Sequence, residues 1–459
     1  MKKQKLLLVV LVLSLGMLMA SCSGGDDNKK QATGELSYDN PFWSKDAVLY
    51  ELNVRQFSDE GTFSAVEGRI DELADLGVDV IWFMPIHPIG EINRKGPLGS
   101  YYSIKDFMDV NPEFGTLDDF RSLVNSIHDK GMYVMMDWVP NHSSWDNILV
   151  EEHPDWYVKD STGAFVSPYD WTDVIQFDWS NEGLQEYMMD ALLYWVEDID
   201  VDGFRVDHPH VTPADFWLQA RLEMEKIKPV LMLAENEDRV EFFTNGYDMN
   251  YSWELHHLMN QVAQGKAEAR VLDEALTRDL DRFPDYAYRL RFITNHDENS
   301  WAGTIEERMG DAHEAFAVFM YTIPGMPLLY NGQEAGLNKR LDFFDRDPIE
   351  WNESYLREFY TSLNTLKEEN PALHNGKFGG DFKALGVTGD EDVYAYARSR
   401  DDNRLVSIIN FDDEPAEAVI SADIEGDYTD YFSGESISIS GEYVFTMDGW
   451  GYKILIRAN

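Results

Sequence analysis

The feature that most constrains this chain is a regular alternation, from about residue 48 to residue 367, of short apolar runs with longer amphipathic stretches. Short apolar runs bounded by polar turns read as buried strands, and apolar residues recurring every three or four positions read as helices. Strands are expected over 48–54, 78–84, 132–138, 201–206, 229–234, 288–294 and 326–330, with a short one over 247–250. Helices are expected over 65–75, 117–130, 181–196, 213–226, 253–264, 312–321 and 355–367, while 235–246 is too short to carry one. Strands that alternate with helices pair in parallel, because a crossover helix is what joins parallel neighbours. Eight such units fit a closed (β/α)8 barrel, the TIM-barrel architecture. A doubly wound open sheet is the competing arrangement, and periodicity does not separate the two. The polar residues favour closure. His142, Asp207, Glu235 and Asp297 each fall at or just after the C-terminal end of an expected strand. A closed barrel brings those ends to one mouth, whereas an open sheet spreads them along an edge.

The flanks read differently. Residues 1–5 are basic and 6–19 nearly continuously apolar, the pattern of a secretory signal and too short for a comfortable membrane span. Met19, Ala20 and Ser21 then lead into Cys22, the one cysteine in the chain, and small residues before such a Cys resemble the bacterial lipobox. The expectation is a lipoprotein signal over 1–21, lipidation at Cys22, and a polar, Gly- and Asp-rich tether over 22–40. That implies an exported, membrane-anchored protein on the outer membrane or cell surface, the periplasmic face being the alternative. The barrel is expected over 41–371, with a short inserted excursion at 143–180 after the third strand. That stretch is long for a strand-to-helix loop, and ordered long loops usually serve function. From 372 to 459 short β-type runs separated by Gly, Asp and Asn turns indicate a C-terminal antiparallel β-sandwich.

A formal net charge of −46 weighs against a nucleic-acid partner, whose phosphates need clustered Lys and Arg, and against anionic substrates. A neutral polymer is not repelled. The 13 tryptophans could stack on such a polymer, although most tryptophans fill cores. Trp138, Trp171, Trp179 and Trp301 are the candidate platforms. There is no His-Glu-x-x-His and no Cys/His cluster to suggest zinc, no Gly-x-Ser-x-Gly elbow near the candidate residues, and no Gly-rich phosphate loop.

Among the acids, Asp207 closes the run Gly203, Phe204, Arg205, Val206, Asp207. Arg205, two positions earlier, lies on the same side of the strand and favours an ionised carboxylate. An ionised, oriented carboxylate is what a glycosidic nucleophile requires, although a plain Arg–Asp pair would read the same. Glu235 ends the apolar run 230–234. A carboxyl in apolar surroundings holds its proton towards neutrality, as a general acid must; helix capping is the ordinary alternative. Asp297 follows His296 at another strand exit and could bind hydroxyls or steady a developing positive charge, or else cap the next helix. Asp137 and His142 bracket a further strand end.

Taken in this order on successive strands, the motifs resemble the α-amylase family of glycoside hydrolases. Asp137 to His142 is similar to the family's first signature region, Gly203 to Asp207 to the second, Glu235 to the third, and Phe292 to Asp297 to the fourth. Gly77 to Pro85 resembles the second-strand signature and Gly325 to Glu334 the eighth-strand one. Ser100, Tyr101 and Tyr102, followed by Asn111 to Gly115, resemble the loop that places a stacking tyrosine. The resemblance runs from about Val48 to the C-terminus. It implies a retaining hydrolase of α-glucosidic bonds, mainly α-1,4, acting on starch-type glucans or maltodextrins. Asp207 would be the nucleophile, Glu235 the acid/base, and Asp297 the stabiliser. Tyr102, His142, Arg205 and His296 would line the subsite, and Asp137 would brace Arg205. Retention would place the Asp207 and Glu235 carboxyls about 5–5.5 Å apart.

The sequence departs from the family after Asp207, where His208, Pro209, His210 and Val211 stand in place of a small residue and a later Lys-His pair. His210 is the candidate leaving-side contact. The chemistry requires no cofactor, and Asn141 matches the family's calcium asparagine, so a structural calcium is an open expectation. A same-family rival is an α-1,6-active or cyclomaltodextrin hydrolase or a transglycosylase. A rival of another class is a non-catalytic glycan-binding protein, which would usually have lost an acid, and none of the three is missing here.

Overall fold

The computed structural model describes residues 38–420 and 424–457. The signal, Cys22 and nearly all of the expected tether lie outside these residues. Eight parallel strands close into a barrel: β1 (Leu49–Leu52), β2 (Val80–Phe83), β3 (Tyr133–Trp138), β6 (Gly203–Val206), β7 (Leu231–Ala234), β8 (Met249–Tyr251), β9 (Tyr288–Arg291) and β10 (Met326–Tyr330), with β1 pairing both β2 and β10. A two-stranded hairpin, β4 (His142–Ser144) with β5 (Val174–Gln176), forms the excursion after β3.

Parallel strands covered on both faces read as continuous apolar runs, and the two faces fill two cores. Leu49, Val80, Trp82, Met135, Leu231, Leu233, Met249 and Leu290 pack inside the barrel, while the opposite faces pack against the helices. The long helices form where expected. Leu117–Asp129 opens on a capping box from Thr116 and Asp119, and Glu182–Glu197 is capped by Asn181. Two departures appear. The helix expected over 65–75 is two, Phe63–Glu67 and Ile70–Leu76, broken where Gly68 caps the first and Arg69 leaves helical geometry. An unexpected helix, Arg270–Arg282, follows Trp253–Ala263.

The C-terminal part is antiparallel, one six-stranded sheet and one three-stranded sheet enclosing a core of residues such as Ala395, Val406, Ile408, Ile420, Tyr428, Phe445 and Leu455.

Candidate active site

β3 and β6 pair so that Asp137 stands opposite Arg205. Both side chains are sealed from solvent. Arg205 Nη1 donates to Asp137 Oδ1 at 3.0 Å and to Asp207 Oδ1 at 2.9 Å, Nη2 reaches Glu235 Oε1 at 2.8 Å, and Nε donates to the Tyr251 hydroxyl at 3.3 Å. A rigid guanidinium fork therefore orients carboxyls from the ends of three strands. Exposure then rises outward, from 13% for the Asp207 side chain to 22% for Glu235 and 41% for Asp297. The first two are open at their tips only, and the third faces the cavity more broadly.

His296 links the other side. Its Nδ1 is hydrogen-bonded to Glu51, a buried carboxyl on β1; its Nε2 lies 3.0 Å from the Tyr102 hydroxyl and 3.5 Å from Asp297 Oδ2. The Tyr102 hydroxyl also donates to Asp137 Oδ2 at 3.2 Å. His142 accepts from Asn141 Nδ2 at Nδ1 and donates from Nε2 to the Tyr102 carbonyl at 3.1 Å.

These contacts set protonation. Burial pushes Glu235 up to about 7, with Arg205 pulling it down and Asp207 and Asp297 pushing it up. Burial pushes Asp207 up to about 6 as well, with the Arg205 charge and hydrogen bond pulling it down and Asp137 pushing it up. Burial alone would make His296 neutral; Asp297 and Glu51 instead carry it up to about 9, so it is a cation at neutral pH. His142 has no such partner, and burial lowers it to about 3.

The three acids border a cavity of about 420 Å³ at the barrel mouth. One wall is aromatic: Tyr102 and Phe343 lie parallel at 6.2 Å, and Trp301 stands 5.3 Å from Phe343. The facing wall holds His142, Trp171 and His208, and a Lys95–Asp173 ion pair at 3.0 Å also borders the space.

Asp207, Glu235, Asp297, Tyr102, His142 and His296 thus come together as expected. Arg205 does not border the cavity. It lies beneath the carboxyls with its hydrogen bonds spent on protein, so it positions them and does not line the sugar subsite. His210 does not border this cavity either: its ring packs 3.8 Å from that of His208, and His208 is the wall residue, because the chain turns at Pro209. Of the platform candidates, Trp171 and Trp301 reach the cavity; Trp138 is core and Trp179 is buried, donating to the Pro140 carbonyl. Sequence reasoning passed over Glu51, although a charge inside an apolar strand was its signal, and Phe343 and His208, which had none.

Asn141 Oδ1 is buried without a hydrogen-bond partner among the described residues. Calcium takes six to eight oxygens. No group of three or more His, Cys, Asp or Glu able to hold a metal occurs among the described residues, and one orphan oxygen does not make a calcium site. No step below passes through a metal.

A parallel barrel that gathers three carboxyls around one guanidinium at its C-terminal mouth is built as a barrel glycosidase. The model of the alpha-amylase catalytic domain matches residues 26–171 and 145–372, and the chain belongs to that family. Alpha-amylase MalA of Haloarcula japonica is 31% identical over 445 residues, a match covering 91% of this chain but 64% of that protein, so the chain spans a little under two thirds of that relative's length. A noncanonic maltogenic alpha-amylase, AmyB of Thermotoga neapolitana, superposes with a TM-score of 0.84 at 28% identity, over 91% of this chain and 100% of that one. An alpha-amylase of Lactobacillus plantarum superposes with a TM-score of 0.82 at 28% identity, over 91% and 100%.

Proposed function

We propose that the protein hydrolyses α-glucosidic bonds, mainly α-1,4, in starch-type glucans or maltodextrins, with retention through a covalent glycosyl-enzyme intermediate. The observation that carries this reading is the gathering of Asp207 and Glu235 on one buried guanidinium, beside a cavity that Asp297 also borders. Burial raises both, Glu235 to about 7 and Asp207 to about 6, and Arg205 pulls both down, so Glu235 suits the acid and Asp207 the nucleophile. Two carboxyls held on neighbouring nitrogens of one guanidinium suit the short spacing of retention, about 5–5.5 Å, better than the roughly 6.5–9.5 Å that inversion needs for an intervening water.

Glu235 protonates the departing glycosidic oxygen as Asp207 attacks the anomeric carbon. Glu235, now a carboxylate, takes a proton from water, and that water attacks the same carbon and releases Asp207. Asp297 steadies the positive charge that develops on the ring, and Tyr102 offers an aromatic face. The His296 cation and neutral His142 keep Tyr102 and Asp297 in place.

The test incubates the soluble, tether-free protein with starch, maltotriose, pullulan and cyclodextrin, follows products over time, and uses Asp207→Asn as the control. Expected are maltooligosaccharides from starch and a loss of at least about 10³-fold in the variant. Wild-type rates in Asp207→Asn would remove the nucleophile. Preference for pullulan or cyclodextrin over starch would move the activity to an α-1,6- or ring-opening hydrolase of the same family.

A further inference from the structure

A line of contacts that the reaction above does not use runs from the excursion to the acid. Tyr169, on the excursion, is 68% exposed and sits in left-handed backbone at φ 51°. Its hydroxyl is hydrogen-bonded to His208 Nε2 at 2.8 Å. His208, directly after Asp207, is itself left-handed at φ 47°. The His208 backbone N–H donates to Glu235 Oε2 at 2.9 Å. Left-handed backbone is uncommon for residues other than Gly, Asn, Asp and His, so Tyr169 is the more strained of the two, and such backbone persists where surroundings hold it. Here the surroundings are the Tyr169 hydroxyl, the Trp171 ring at 5.7 Å and the His210 ring at 3.8 Å.

We propose that His208 is a positioning residue for Glu235, and that Tyr169 latches it: the tethered imidazole fixes the left-handed backbone that aims the His208 N–H at the acid. This rests on Glu235 being the acid/base. The ring is suited to the task. Burial, and then His210 and Arg205, lower His208 to about 4, so it is neutral and its Nε2 pairs with the phenol without a charge. The latch also ties the tip of the excursion, where Tyr169 and Trp171 meet at 4.9 Å, to the wall of the cavity that His208 and Trp171 form.

The N–H stabilises the ionised form of Glu235 and so opposes the effect of burial. The other groups facing Glu235 are Arg205 and Asp207 from β6, Asp137 from β3, Tyr251 from β8, Asp297 beyond β9, and His210. None of these is altered by removing the Tyr169 hydroxyl.

The experiment is the pH dependence of kcat and kcat/KM for Tyr169→Phe on maltotriose, with Tyr169→Phe combined with His208→Asn as the rescue, since Asn favours left-handed backbone unaided. Expected in Tyr169→Phe is a basic limb moved to higher pH by about half a unit, with kcat lower by about threefold and KM little changed. The double variant should return the limb towards wild type. A rise in KM with the limb unmoved would make Tyr169 only a sugar platform and overturn the latch. Asp207→Asn, measured alongside, keeps the two ideas apart. An inactive Asp207→Asn with an unmoved limb defeats the latch alone, whereas an active one defeats the hydrolase reading on which it stands.

Discussion

Arg205 holds Asp207 and Glu235 on adjacent nitrogens, so the two carboxyls titrate as a linked pair and a pH profile reports both. The signs follow from the proposed roles, acid/base for Glu235 and nucleophile for Asp207. Glu235 must carry its proton, so kcat/KM should fall as pH rises through about 7. Asp207 must be ionised, so activity should also fall on the acid side, below the Glu235 limb. Glu235→Gln should abolish the basic limb and slow hydrolysis of maltooligosaccharides by about 10³-fold. The loss in the bond-breaking step should be far smaller for dinitrophenyl maltosides, whose leaving group departs without a proton. A basic limb that survives in Glu235→Gln belongs to another group and removes the assignment. The three acids were legible in the sequence because each stood at the exit of an expected strand, Glu235 after an apolar run, Asp207 two positions after Arg205 and Asp297 directly after His296. Glu51 was visible as a charge within a strand, but its role beneath His296 depends on a contact across 245 positions. The choice between His208 and His210 depended on one left-handed residue before a proline, which no residue pattern specifies.

At the level of elements, the barrel strands were legible because burial on both faces removes polar residues from them. The helix Arg270–Arg282 was passed over although Val271, Leu272, Ala275, Leu276 and Leu280 recur at helical spacing, because charged residues separate them and no continuous apolar run marks it. Gly203 shows a constraint between elements that composition hides. A Cβ there would lie 1.9 Å from the Leu231 carbonyl oxygen, so β6 reaches β7 only because residue 203 has no side chain. Gly203→Ala must push the two strands apart, and overpacking of this kind should cost about 3 kcal/mol or more. The same strand delivers Arg205 and leads into Asp207, so activity at low temperature should drop with stability. Urea unfolding together with maltotriose turnover would check this; a variant within about 0.5 kcal/mol of wild type would show that the strands shift freely.

Across the whole molecule, the change of pattern near residue 371 marked where the antiparallel part begins, but the sequence held no sign of how closely it joins the barrel. One apolar cluster continues from barrel helices through Phe316 and Phe319 into Tyr396, Leu405, Ile409, Phe411 and Ile454 of the C-terminal sheet. At this seam Lys367, wholly buried on the last barrel helix, donates to the Leu373 carbonyl at 2.7 Å and the Gly325 carbonyl at 3.3 Å. Burial, with Arg398 adding to it, lowers this lysine from 10.5 to about 7. Above about pH 7 the folded protein therefore holds it neutral, while the unfolded chain keeps its proton up to 10.5. Between those limits unfolding takes up a proton, so this group's contribution to stability is full above 10.5 and is lost as pH falls towards 7. Lys367→Met keeps the apolar stem and removes the titration. The difference in urea midpoint between wild type and variant should accordingly move in favour of wild type from pH 7 to 9.5, while every tyrosine and carboxylate common to both cancels. A difference that stays flat over that range would mean that Lys367 remains a cation in the seam, held by Asp46 and Asp79, which favour its charged form.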